Sequence, residues 1–175
     1  MSTRVITRIV LWSVCSLIAL MWVYAFIFAP RESVNKIKDE AWTVRAEAHC
    51  QIAENVRFAL EDLTEMDPND SLALKKKAQI VEKATDALEV AINSIEDDQP
   101  SDEKGKAIVP LWITEYRMYI ENRRLFAQEL MTSKTRPYFA ETEIEGVPVS
   151  ERLGKFAREN KMKSCQPPLD LSVQT

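Results

Sequence analysis

The sequence predicts an all-α protein with an N-terminal transmembrane helix, followed by an antiparallel bundle of three long helices and a short fourth helix. Three observations carry this reading. Residues Ile9 to Ala29 form 21 consecutive positions without a charge, and all but Ser13 and Ser16 are apolar. From Pro30 onward the prolines divide the chain into intervals of helix length, because an interior proline removes a hydrogen bond and clashes with the preceding turn. Within those intervals, apolar residues recur every three or four positions, the period of a helix face.

At about 1.5 Å per residue, a helical Ile9–Ala29 run spans about 31 Å, which matches a hydrocarbon core roughly 30 Å thick. Trp12 near one end and Trp22 and Tyr24 near the other suit the two membrane interfaces. The expected organisation is a short head (residues 1–8), a span (9–29), an extramembrane helical bundle (30–168) and a C-terminal tail (169–175). A cleaved signal peptide is the competing reading, with Val23-Tyr24-Ala25 preceding a cut. The apolar run continues past Ala25 and exceeds a usual signal core of about 7 to 15 residues, which favours an uncleaved anchor.

Beyond the span the chain is acidic, with 21 Lys+Arg against 27 Asp+Glu. That balance excludes a strongly basic nucleic-acid binder, one span excludes a multi-pass transporter, and three cysteines exclude a disulfide-dense mini-protein. Sidedness has opposing signals. Arg4 and Arg8 precede the span while Arg31, Lys36, Lys38 and Arg45 follow it, which leans against export. The signal-anchor shape and two well-separated cysteines lean towards it, and an extracytoplasmic domain is expected.

The helices follow in order. Val34, Ile37, Ala41, Val44, Ala48, Ile52, Val56, Leu60 and Leu63 form one apolar stripe, predicting a long first helix rising from Pro30, its far end near Met66 about 50 Å away. Asp67-Pro68 supplies an N-cap and a first-turn proline for the second helix. There Leu74, Ala78, Val81, Thr85, Leu88, Ile92 and Ile95 keep a seven-residue repeat suited to shallow-angle packing. An acidic loop from Asp97 to Gly105 ends the hairpin. The third helix is predicted from Val109-Pro110 to about Met131, facing inward with Trp112, Ile113, Tyr116, Tyr119, Ile120, Ala127 and Leu130, a face that Arg123 and Arg124 interrupt. Residues 132–149 read as loop with a short strand pair between Tyr138 and Val149. Ser150 is placed as the N-cap of the short fourth helix, which faces inward with Leu153, Phe156 and Ala157.

Few residues suggest chemistry. Cys50 and Cys165 are expected to pair if the domain is exported, which on the chain-entropy model stabilises the fold by up to about 4 to 5 kcal/mol. Unpaired structural thiols are the alternative. A reactive thiol beside His49 is disfavoured, since adjacent helical residues point about 100° apart. Cys15 reads as a small hydrophobe in the span. With one histidine and no close cysteine pair, no metal site of the usual kind is expected, and no cofactor is implied. Trp42, Trp112 and Tyr116 are packing anchors or the lining of a ligand pocket between helices. Lys75, Lys76 and Lys77 form the only dense basic run, either solvent-facing or a weak contact for an anionic partner. No phosphate loop, serine elbow or paired histidines appear, so no enzymatic activity is expected.

Asp39-x-x-Trp42 followed by Cys50, Trp112 with Glu121-Asn122-Arg123-Arg124, and Phe156-Ala157-x-x-Asn160 before Cys165-x-Pro167-Pro168 together make the chain resemble a group of uncharacterised actinobacterial single-pass membrane proteins. The resemblance implies an envelope-facing helical domain with two cysteines and carries over no activity, substrate or site residue. The function expected is an interaction or structural module anchored in the bilayer through residues 9–29, with a protein partner or self-association and no nucleic acid. The alternative is a ligand-binding or sensory bundle that works with a separate transducing subunit.

Overall fold

The computed structural model describes residues 3–27, 33–60, 67 and 69–171, which are mostly helical. They divide after Val34 into two compact units. The first is α1 (Thr3–Ile27). Its stretch Val5–Ile27 is long and apolar enough to cross a membrane, and the side chains along it, Trp12, Trp22 and Tyr24 included, are exposed. That fit rests on length and composition. Phe28 to Arg31, where the predicted span ends, lie outside the described residues.

The second unit contains α2 (Glu40–Leu60), α3 (Ser71–Asp97), α4 (Glu103–Thr132), β1 (Glu143–Ile144), β2 (Val147–Pro148), α5 (Val149–Glu159) and a 3₁₀ turn at Lys163–Cys165. α3 packs against both α2 and α4, and α5 rests on α4.

α2 corrects the sequence reading most. It starts at Glu40, where the Asp39 carboxylate accepts the Trp42 backbone N–H at 2.9 Å, as an N-cap does. Its buried residues are Trp42, Thr43, Ala46, Cys50 and Ala53. Of the predicted stripe only Ile37, before the helix, is buried. Val34, Ala41, Val44, Ala48, Ile52 and Val56 are exposed and Leu60 is half-buried. Leu63 and Met66 lie outside the described residues. The stripe is real, but it covers the face opposite the core.

α3 follows its repeat closely, with all seven predicted positions buried. Its cap is Asp70 rather than Asp67, accepting from the Leu72 N–H at 2.8 Å, while Asp67 accepts from Asn69 at 2.9 Å. Pro68 lies outside the described residues. α4 starts well before Val109, because Asp102 already caps it by accepting the Gly105 N–H at 2.9 Å. Gly105 is required there, since a Cβ would stand 2.8 Å from both Asp102 Oδ1 and Pro100. Pro110 therefore sits inside α4, which continues past the lost hydrogen bond. All seven predicted inward residues of α4 are buried.

The strand pair is a two-residue antiparallel ladder pairing Glu143 with Pro148 and Ile144 with Val147. Glu145 and Gly146 have φ of 55° and 75°, the doubly positive pattern of a type I′ hairpin turn. Pro148, not Ser150, precedes α5 and caps it without a side-chain bond, and the Ser150 N–H instead donates to Glu141 Oε2 at 3.0 Å. α5 buries Leu153, Phe156 and Ala157 as expected. It ends in a Schellman motif, with Met162 N–H donating to Ala157 O at 2.8 Å, Lys161 N–H to Arg158 O at 3.2 Å, and Lys161 at φ 61°. The expected polar tail begins too early at residue 169, for Asp170 is paired and Leu171 is buried. Residues 172–175 lie outside the described residues.

Candidate functional site

Three places in the second unit gather the residues singled out from sequence. The first is the junction of the C-terminal segment with α2 and α4. Cys50 and Cys165 form a disulfide with Cα atoms 5.0 Å apart. Beside it, Glu47 accepts the Ser164 N–H at 2.9 and 3.0 Å, and Glu54 accepts the Ser164 hydroxyl at 2.8 Å. Tyr116 donates its hydroxyl to Cys165 O at 3.0 Å, and Tyr119 donates to Pro168 O at 3.0 Å. Burial pushes the Tyr116 hydroxyl far up its titration range and Tyr119 up to about 12, so both remain neutral donors.

Arg123 belongs to the same junction, and the periodicity reading treated it as an interruption. It is fully buried. Its guanidinium forks onto Asp170 at 2.7 and 2.9 Å, and its Nε donates to Thr85 Oγ1 at 3.0 Å. Burial alone would raise the Asp170 pKa, but the paired Arg123 outweighs it and holds the carboxyl below its ordinary range, with Arg57 and Lys77 adding to the pull. The only advance signal was an arginine at an inward helical position, and its partner lies 47 residues away.

The second place is an open cleft of about 600 Å³ beside the disulfide. Ala53, Ala84, Leu88 and Pro167 supply apolar lining, and the cations Arg57, Arg158 and Lys163 are matched by the carboxylates Glu54, Glu151 and Asp170. Neither Trp42 nor Trp112 lines it. Both are buried in packed core, Trp42 with its indole N–H on Asp98 O, and Trp112 stacked on Phe156 with ring centroids 5.0 Å apart. Tyr116 meets Trp112 edge-on at 5.1 Å. The Trp112 indole N–H has no hydrogen-bond partner. Lys75 and Lys76 are exposed and Lys77 is half-buried, so the basic run does not present one face. Among the described residues no cluster of His, Cys, Asp and Glu is arranged to hold a metal.

The third place is the outward face of α2. Val44 is 68% exposed, Ile52 64% and Val56 39%, with Ala41, Ala48 and Ala59 exposed between and beyond them. No charge lies among these six. Arg45, on the same face between Ala41 and Ala48, is occupied within its own chain, forking onto Asp98 at 2.6 and 3.1 Å. Compared with protein-family models, curated proteins and solved structures, the chain matches none.

Proposed function

We propose that the chain is a single-pass, membrane-anchored antiparallel bundle of three long helices and a short fourth, acting as an interaction or structural module at the bacterial cell envelope. The observation that carries this is the outward face of α2, where an apolar stripe, with Arg45 and Asn55 at its margins, runs along a helix whose opposite face already fills the core. Apolar side chains lined up on a soluble surface are the usual mark of a docking site. The antiparallel arrangement is supported by cross-helix pairs whose numbers run in opposite directions. Arg117 meets Asn93 and Glu96, while Arg124 meets Glu82, Asp86 and Glu89. Anchoring is supported by the length and apolarity of α1, and an extracytoplasmic domain by the Cys50–Cys165 disulfide, since such bonds persist in oxidising compartments. The reading assigns no catalytic step.

Crosslinking in intact cells followed by identification of bound proteins tests the interaction, and protease accessibility in the same cells tests sidedness. Strict monomers with no envelope partner, or a protease-protected domain within the cytosol, would overturn the corresponding part. A ligand-binding bundle is favoured by one observation, the open cleft beside the disulfide, where three cations and three carboxylates over an apolar floor suit a polar small molecule carrying both signs of charge. Its test is whether Arg57→Ala and Glu151→Ala each weaken binding of zwitterionic small molecules, free amino acids among them, to the full chain.

A further inference from the structure

We infer that the outward face of α2 is a self-association surface, and that its occupant is α2 of a second copy running in the opposite direction. This deepens the interaction reading and rests on it. The apolar stripe on that face is Ala41, Val44, Ala48, Ile52, Val56 and Ala59, all exposed. Its steps along the chain are 3, 4, 4, 4 and 3, so the pattern is unchanged when the helix is reversed about residue 50. Residue sizes are equal at the outer mirror pairs, Ala41 with Ala59 and Val44 with Val56, and complementary at the central one, small Ala48 with large Ile52.

A two-fold contact needs one patch complementary to itself, with residue i against j and j against i. An antiparallel pair centred on residue 50 meets that need. Each Ile52 lies level with the Ala48 of its partner, a large side chain over a small one, and the alanines let the axes approach to about 8 Å. No like charges are brought together, because the stripe has none and Arg45 is engaged by its own Asp98. A parallel pair would place Ala48 on Ala48 and Ile52 on Ile52, leaving gaps at one level and crowding at the next.

The exposed residues of α4 make a useful contrast. Leu111, Met118 and Leu125 recur only every seventh position, with Thr114 and Glu121 between them, so that line is too narrow for a helix to seat on. Six side chains from each copy, three of them alanine, are far fewer than the roughly 20 to 30 residues a side of a stable interface between free proteins. Pairing should therefore be weak in dilute detergent and gain from confinement of both copies to one membrane, where the effective concentration is high.

The test uses the full chain in cell membranes, in a Cys15→Ser background that keeps the Cys50–Cys165 bond. Copies with different tags carry Val44→Cys or Val56→Cys, both outward-facing and away from the buried disulfide. A short bismaleimide should join 44 to 56 several-fold more than 44 to 44 or 56 to 56, because like positions stand about 18 Å apart along the axis. Ala48→Glu should abolish the 44-to-56 product without changing helicity or disulfide formation. Dominant 44-to-44 product would overturn the antiparallel pairing in favour of a parallel one. Absence of α2 products while other envelope proteins crosslink would overturn self-pairing yet leave the interaction reading standing. Absence of products of either kind would defeat both.

Discussion

α3 and α4 meet along apolar faces already visible in their own periodicity and rimmed by the ion pairs of Arg117 and Arg124, whereas the C-terminal segment is held by a disulfide and two glutamates of α2 and by a buried ion pair with Arg123 of α4. The first contact is spread over many residues, so no single side chain dominates it. The second concentrates its hold in a few polar or covalent links. Segment 35–37 follows the second pattern, for buried Asn160 accepts the Ile37 N–H at 2.8 Å and donates to Asn35 O at 2.9 Å. The lesson is that Asp39, Asn122, Arg123, Arg124 and Asn160 serve here as joints between segments distant in sequence.

The largest effect expected is from Arg123→Ala. It leaves Asp170 in a low-dielectric site without its partner, at a cost of about 3–5 kcal/mol, read as a lower midpoint in urea unfolding. A change of less than about 1 kcal/mol would show that the C-terminal segment does not depend on the pair. Replacing both Cys50 and Cys165 with serine should cost about 2–4 kcal/mol. Hydrogen exchange would sharpen the contrast: α2 and residues 163–171 should lose protection first, while the contact between α3 and α4 keeps its own. Uniform loss across the unit would erase the distinction.

Asp39 gives a smaller effect with a pH signature. Ser101 donates its hydroxyl to it at 2.6 Å and its backbone N–H at 2.9 Å, and with the Trp42 N–H these hold its pKa at about 2, below the usual 3.8. Because the folded value is depressed, the stabilisation is fully present above the unfolded pKa and is lost as pH falls from about 4 through 2. Asp39→Asn should lower the thermal midpoint at neutral pH and flatten its fall in that window; an unchanged acid slope would count against the role. The smallest effect runs the other way. Lys161 occupies the left-handed region that favours glycine, so Lys161→Gly should stabilise the α5 terminus by roughly 0.5–1 kcal/mol, measurable by thermal denaturation.

Helix existence, the inward faces of α3, α4 and α5, and the cysteine pair were all legible in the sequence. They depend on periodicity or on covalent arithmetic. The inward face of α2 was not. Its core contacts use Ala46, Cys50, Ala53 and Thr43 around a single Trp42, so the buried side is less hydrophobic than the exposed one and the moment points the wrong way. A rule that places the greasier side inside fails when a helix has a second surface to offer. Arg123 escaped because a charge on an inward face looks like an error until its carboxylate arrives from the far end of the chain. The start of α4 escaped because Pro110 reads as a first-turn residue, while the cap that starts the helix, Asp102, is about two turns upstream.

The Cys50–Cys165 bond also changes what a protease can accomplish. It turns residues 50–165 into a covalent ring that includes all of α3, α4 and α5. One cut inside that ring opens it but frees no fragment, since both new ends stay tied to the same cystine. Release from whatever holds α1 requires a cut before Cys50, or a cut within the ring together with reduction. A nicked molecule would therefore run as one intact band without reductant and as two bands with it.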